Sequence, residues 1–290
     1  MLPIKRIPLL LILIFCLLSL GDLFSFDLSK GIYYTHLILK DKTSIHLLEV
    51  DPTYFNIVAS KAKHKNLETV EVISNRNQAV ASINGGFFQK EGDLTGLPVG
   101  ILKIEDRWHG IPHLPRAAIG WSNSDHTVLF DQVLTSLSFQ NTILVIPQSN
   151  PNYTKSKDWD CITYIVGGAP ILIRSDIVLT DYSSEKTIKS FLYKKHARTA
   201  IGILPNGHFI FVVVDGIKRI FFNNTGITIP DLANFMHEIG CVEALNLDGG
   251  GSSTLVFEGE VINTPCGEIN DGKGHYVRAV SDAILVIPKF

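Results

Sequence analysis

The chain has 290 residues, enough for one large domain or two small ones. With 46% hydrophobic and 19% charged residues it can bury a sizeable core, which excludes a disordered chain. A formal net charge of −2 excludes a general electrostatic binder of nucleic acid or anionic membrane, so an anionic ligand must be held by a few placed residues.

The start of the chain has the pattern of a signal peptide spanning residues 1–21. Lys5 and Arg6 precede an almost unbroken apolar run over 7–20, and Ser19-Leu20-Gly21 places small residues at the cleavage positions. The run is shorter than the ~20 residues of a spanning helix. Cleavage after Gly21 is expected, giving an exported protein that is secreted, periplasmic or held at the cell surface. The competing reading is a retained anchor, so any membrane contact is expected only through an uncleaved N-terminal segment. Cys16 lacks the preceding small residues of a lipoprotein signal. Cys161, Cys241 and Cys266 would remain, with no C-x-x-C pair and no zinc-like His spacing. They allow at most one disulfide, and free thiols are the alternative.

Two alternating apolar runs, Ile32–Leu39 and Ser44–Val50, flank Lys40-Asp41-Lys42 and predict a β-hairpin. Residues 67–77 carry Leu67, Val70 and Ile73 on one helical stripe. A short strand over 79–83 then enters Asn84-Gly85-Gly86-Phe87-Phe88. Residues 132–158 are polar and follow neither period. A strand over 162–166 leads into Gly167-Gly168-Ala169-Pro170. Arg116-Ala117-Ala118-Ile119-Gly120 and Arg198-Thr199-Ala200-Ile201-Gly202 each begin a strand, a turn and a returning strand. This similarity is read either as internal duplication or as two hairpins with shared packing needs. Residues 228–240 form the clearest helix: Thr228 caps it, Pro230 and Asp231 suit its first turn, and Gly240 ends it. Its stripe of Leu232, Phe235, Met236 and Ile239 is core. A strand over 241–247 follows. No linker divides residues 22–290, which read as a single α+β, strand-rich domain with mixed sheets and two or three helices.

The most informative stretch is Asn246-Leu247-Asp248-Gly249-Gly250-Gly251-Ser252-Ser253-Thr254. Three successive glycines suit a sharp bend or a close approach. Their amides, with the neighbouring hydroxyls, can converge on an anion, with Asp248 at the mouth. The stretch lacks the Lys-Ser/Thr ending of a Walker loop. Asn84, Gly85 and Gly86 repeat the pattern at another strand end. Phe87 and Phe88 suit either a sugar platform or the core. Asp215, followed by Gly216, ends a third strand. Arg198 and Arg278 are candidates to pair with phosphate through their planar forks, with salt bridging as the alternative.

These motifs in this order, with Gly96-Leu97-Pro98-Val99-Gly100 and Arg278-Ala279-Val280-Ser281, closely resemble the phosphodiester glycosidase family from about residue 77 to the C-terminus. Its known animal member uncovers mannose 6-phosphate by removing N-acetylglucosamine. One departure is that the arginine frequent after Val-Asp-Gly is replaced by Ile217, followed by Lys218 and Arg219. The resemblance implies a hydrolase that cleaves a sugar C1–O bond with phosphate as the leaving group, the substrate being a sugar-1-phosphodiester or a phosphate-containing glycan. A phosphate leaves as a stable anion, so a second, proton-donating carboxylic acid is dispensable. One carboxylate then serves the anomeric carbon, as nucleophile or as base for water: Asp248 first, Asp215 second. Asn84, Gly85, Gly86, Arg198, Asn246, Gly249, Gly250, Gly251, Ser252, Ser253 and Arg278 are the expected substrate contacts. If a general acid exists, Glu238, Glu243 and Glu258 are the first carboxylates to inspect. No cofactor is specified, and a divalent metal ion and its ligands are left open. Two rival readings are a metal-dependent phosphodiesterase attacking phosphorus and a glycan-binding protein without turnover.

N-terminal sequencing of exported material is expected to begin at Asp22. A first residue of Met1 would defeat cleavage at Gly21.

Overall fold

The computed structural model describes residues 20–63, 66–105, 107–112, 114–136, 139–145, 154–155, 157–216, 226–274 and 276–289. The proposed leader therefore lies outside the described residues except for Leu20 and Gly21, which open the strand Leu20–Ser29; Ile217, Lys218 and Arg219 lie outside them too.

Three sheets enclose a shared core, and a two-stranded ribbon stands apart. The eight-stranded sheet runs in the order Leu20–Ser29, Ile32–Leu39, Ser44–Val50, Phe209–Val214, Arg198–Ile203, Glu243–Asn246, Ile171–Arg174 and Ile177–Val178. A seven-stranded sheet is built around Arg116–Trp121 and Tyr164–Gly167. A five-stranded sheet has Ala81–Asn84 at its centre, between Leu255–Phe257 and Asp282–Pro288. Within these sheets the strand pairings are antiparallel.

Side-chain alternation explains the packing. In Arg198–Ile203, Ile201 points into the core shared by the three sheets, while Ala200 points to the opposite face under the helix Ile229–Glu238. Phe209–Val214 is apolar at every position and buried on both faces, as a central strand of a covered sheet must be. The shared core gathers Leu48, Phe211 and Ile201 from the first sheet, Ile119 and Val166 from the second, and Ile83 and Ile284 from the third. The helix Val70–Arg76 packs on the outer face of the third sheet through Val70 and Ile73.

The local sequence signals act as the residues suggest. The Ile32–Leu39 and Ser44–Val50 strands pair as a hairpin. The Thr228 hydroxyl accepts the Asp231 amide at 3.2 Å, Pro230 sits in the first turn, and Gly240 takes φ +94° after the helix. The two Arg-led motifs form hairpins in different sheets, Arg116–Trp121 with Val128–Ser136 and Arg198–Ile203 with Phe209–Val214. Each motif's glycine faces a bulky neighbour: a Cβ at Gly120 would lie 2.7 Å from the Trp159 ring, and one at Gly202 2.8 Å from Met236 Cε. Cys161 and Cys241 are free thiols. No described helix is long and apolar enough to cross a membrane.

Candidate active site

Antiparallel pairing brings the end of Phe209–Val214, the end of Glu243–Asn246 and the start of Arg198–Ile203 to one edge of the large sheet. Ala81–Asn84, from the five-stranded sheet, ends at the same place. Asn84 joins the two sheets. Its Nδ2 donates to the Asp248 carbonyl at 2.8 Å, while its Oδ1 accepts the Thr199 hydroxyl at 2.7 Å and the Thr254 amide at 3.3 Å. It is 1% exposed and its amide is used internally, so it is a brace for the glycine turn and is not free to hold substrate. Asn246 is likewise fully buried, with Nδ2 on the carbonyls of Ala169 and Leu247.

The three glycines of the turn have different causes. A Cβ at Gly249 would lie 2.7 Å from the Ala197 carbonyl oxygen. Gly250 has open space around it but takes φ +61°, a left-handed conformation that glycine adopts freely. At Gly251 a Cβ would sit 2.5 Å from Arg278 Nη2, so the missing side chain makes room for the guanidinium. The expectation that these amides converge on an anion needs correction for Gly249 and Gly250. Gly249 N–H donates to Asp248 Oδ1, Gly250 N–H to the Ala197 carbonyl, and Ser252 and Ser253 N–H to the carbonyls of Gly249 and Gly250. Backbone donors here shape the turn.

Asp248 is held from both sides, by its Gly249 amide at 2.9 Å and by the Ser252 hydroxyl at 2.6 Å on Oδ2. Burial pushes its carboxyl above the usual range, against the Ser252 hydrogen bond and the positive charges of Lys90 and Arg278. Arg278 Nη1 donates to Ser252 Oγ at 3.3 Å, while its Nε and Nη2 grip the two oxygens of Glu268 at 3.0 and 2.6 Å. A continuous line thus runs Glu268, Arg278, Ser252, Asp248. The Ser253 and Thr254 hydroxyls are buried without a partner.

Asp215 sits apart from this line and is saturated. Its oxygens accept Asn263 Nδ2 at 2.9 Å, the Thr264 amide at 3.0 Å and His46 Nε2 at 3.1 Å. Asn263 in turn donates to the Ser253 carbonyl and accepts the Leu255 amide. Asp215 therefore latches the exit of the glycine turn, and a carboxylate with its lone pairs so engaged is a poor nucleophile. His46 also meets the Tyr34 hydroxyl at 2.7 Å and stacks on His36, with ring centroids 4.4 Å apart. Burial, helped by the Asp215 charge, pushes the Tyr34 hydroxyl up to about 12.

Arg198 departs from the expected role of phosphate partner. It is 1% exposed on the sheet face opposite Thr199, donating to the carbonyls of Ile227, Phe191 and Lys194 and lying 4.8 Å over the Phe191 ring. Burial lowers its guanidinium to about 10. These contacts make it a clamp on the short helix Lys189–Tyr193. Phe88 is core, while half-buried Phe87 meets Phe191 edge-to-face at 6.0 Å.

Gly85 and Gly86 have a cause the sequence motifs do not reveal. A Cβ at Gly85 would lie 1.9 Å from Asp282 Oδ1, and that oxygen accepts the Gly86 amide at 3.0 Å. Asp282 is 2% exposed, and its Oδ2 finds no partner of good hydrogen-bond geometry. Burial raises its carboxyl to about 6, with the Gly86 amide and the Lys61 charge opposing and the Asp248 charge assisting. Asp282, Glu268, His46 and Asn263 are the site residues that the motifs alone miss. Only Asp282, one step past Arg278-Ala279-Val280-Ser281, adjoined a recognised motif. The suggested acids lie elsewhere: Glu243 starts the strand whose far end is Asn246 and accepts the Ser175 amide, Glu258 is in a turn, and Glu238 ends a helix. His208, at the opposite end of its strand from Asp215, is held by Glu49 at 2.7 Å beside a separate cavity of about 470 Å³. Among the described residues no three His, Cys, Asp or Glu side chains are grouped to hold a metal ion.

A family model of phosphodiester glycosidases matches residues 77–287. The SPbeta prophage-derived uncharacterized protein YomE of Bacillus subtilis (strain 168) is 29% identical over 243 residues, which are 82% of this chain and 31% of that one. The N-acetylglucosamine-1-phosphodiester alpha-N-acetylglucosaminidase of Bos taurus is 26% identical over 231 residues, 77% of this chain and 39% of that one. The chain thus spans about a third of the length of these two relatives. Among solved structures, a hypothetical protein from Synechocystis aligns with a TM-score of 0.71 at 16% identity, covering 93% of this chain and 64% of that one. The zebrafish N-acetylglucosamine-1-phosphodiester alpha-N-acetylglucosaminidase catalytic domain, auto-inhibited by its pro-peptide, aligns with a TM-score of 0.64 at 21% identity, covering 93% and 84%. Both share the fold.

The environment of Asp282 sets a pH dependence. Its carboxyl binds a proton more tightly folded than unfolded, so its contribution to stability is full below about 4 and is lost as pH rises through about 6. Asp282→Asn keeps an acceptor for the Gly86 amide and removes the buried charge. Thermal melts are expected to show the variant more stable than the parent at pH 8, with the gap closing by pH 4.

Proposed function

Since the chain belongs to the phosphodiester glycosidase family, we propose that it hydrolyses the C1–O bond of a sugar-1-phosphodiester, with the phosphate side as leaving group. The observation that carries this reading is the line Arg278, Ser252, Asp248 laid on the glycine triplet. It sets a phosphate-matching cation two hydrogen bonds from an oriented, buried carboxylate. N-acetylglucosamine is the first sugar to test, since the bovine relative is named for acting on it.

The chemistry follows from these positions. As the C1–O bond breaks, its electron pair stays on the phosphate oxygen, where Arg278 stabilises the anion, with the charge of Lys90 nearby. Positive charge grows at C1, and Asp248 either bonds to that carbon or takes the proton of the attacking water. Ser252 links the two ends, donating to Asp248 and accepting from Arg278, so the carboxylate and the cation keep a set spacing. Asp215 and Arg198 support the site from behind. The N-terminal segment is the ground for placing the protein outside the cytoplasm.

Two measurements test this. A sugar-1-phosphodiester is expected to be hydrolysed with a far higher kcat/KM than the same sugar on a simple alcohol, whose alkoxide leaves poorly without a proton donor. Equal rates would reveal a general acid, and release of sugar phosphate would mean cleavage at phosphorus and reject the reading. Asp248→Asn, which keeps the shape and an acceptor for the Gly249 amide while removing the charge and the acceptor of the Ser252 hydroxyl, is expected to lower kcat by more than ~100-fold in a folded protein. Near-normal turnover would remove Asp248 from the reaction.

A further inference from the structure

Arg278 is occupied. Its Nε and Nη2, the pair that grips an oxyanion side by side, are both on Glu268, whose side chain is 53% exposed against 15% for Arg278. The pairing is built into the backbone. A Cβ at Gly267 would lie 2.2 Å from the Val277 carbonyl carbon, so glycine lets the chain before Glu268 lie directly on the strand before Arg278. The Gly267 amide donates to the Tyr276 carbonyl at 2.5 Å, and the ribbon Ile269–Asn270 with Tyr276–Val277 continues from there. On its other side Arg278 lies flat against Gly251.

A carboxylate and a phosphate present the same edge to a guanidinium: two oxygens, one negative charge, two parallel hydrogen bonds. Arg278 cannot give Nε and Nη2 to both. We propose that Glu268 is an internal stand-in for the substrate's phosphate, displaced from Arg278 when the phosphodiester binds; this rests on Arg278 being the phosphate holder. Two consequences follow for specificity. A neutral glycoside has nothing to exchange for Glu268 and leaves the ion pair closed, whereas an anionic aglycone replaces one charge-assisted pair by another. In the resting enzyme Glu268 also keeps Arg278 ordered beside Ser252, so the cation is in place before substrate arrives. The exchange trades one bidentate pair for another, and Glu268 already faces water on its own side.

The test is competition by inorganic phosphate, read both as direct binding and as inhibition of sugar-1-phosphodiester hydrolysis, for the parent, Glu268→Gln and Arg278→Gln. Glu268→Gln removes the competing charge and is expected to tighten phosphate about two- to fivefold, the range an exposed ion pair supports. It should also lower KM for the phosphodiester. Phosphate affinity unchanged or weakened in Glu268→Gln, with Arg278→Gln weaker than the parent, would overturn the stand-in and leave Arg278 as phosphate holder. Parent-like phosphate binding in Arg278→Gln would instead remove Arg278 from the phosphate site, and the stand-in with it. Glu268→Ala, which lacks any acceptor for Arg278, separates charge from anchoring: tighter phosphate in both Glu268 variants supports displacement. Tightening in Gln alone reveals an anchoring role of Glu268 that displacement does not require, and overturns the stand-in as the whole account.

Discussion

The site depends on the side-chain amide of Asn84. Two sheets that share a core but no strand are tied at this residue, and the tie is made to the backbone of the glycine turn. Its geometry is demanding. A carbonyl acceptor is needed at one end and two donors at the other, all buried, and an unmet group there costs about 1–3 kcal/mol. Because the amide fixes the Asp248 carbonyl and the Thr254 amide together, both ends of the glycine turn are set by one side chain. The Thr199 hydroxyl on the same amide adds the third strand. Asp248 and Ser252 are thus carried by a loop whose two ends are held together.

Charge is distributed around this brace in a consistent way. The cation that is fully enclosed, Arg198, is satisfied by backbone carbonyls, two of them at the C-terminal end of the short helix Lys189–Tyr193, and by an aromatic face. The carboxylate that is fully saturated, Asp215, serves as a junction between the loop exit and the hairpin that carries His46. Asp248 is oriented by only two donors and has a cationic neighbour. Of the two aspartates named for chemistry from sequence, Asp248 has the fewer structural obligations, and of the two arginines, Arg278 is the one held by side chains and not by main-chain carbonyls. On the proposed reading, that contrast separates the reacting groups from their supports.

Much of the architecture was legible in the residues because it is written in local periods. The Ile32–Leu39 hairpin, the capped helix at Thr228 and the strand before Asp248 each follow from alternation, caps and turn residues. The glycine triplet was legible as a site, but the reason for each glycine was not. Gly251 answers to Arg278 and Gly85 to Asp282, partners far along the chain that only the folded sheets bring together. Residues 132–158 resisted reading, yet their described part includes long strands at Val128–Ser136 and Phe139–Val145. Polar residues such as Gln140, Asn141 and Thr142 interrupt the apolar period of two that marks a strand. Arg198 shows the opposite error. An arginine inside a recognisable motif suggests a ligand, but its place on the helix-covered face of the strand made it a clamp on main-chain carbonyls.

The hairpin at residues 32–50 lies ahead of the segment that defines the family match, yet it is not an appendage. Ser44–Val50 pairs along the full length of Phe209–Val214, and His46 reaches back to Asp215. Removing it would turn Phe-Ile-Phe-Val-Val-Val from an interior strand into an uncovered edge, six apolar residues with a free row of amides and carbonyls. A piece of the chain cut to the matched borders would thus carry its own template for intermolecular β-pairing. The unit that keeps this strand covered is larger than the unit that similarity outlines.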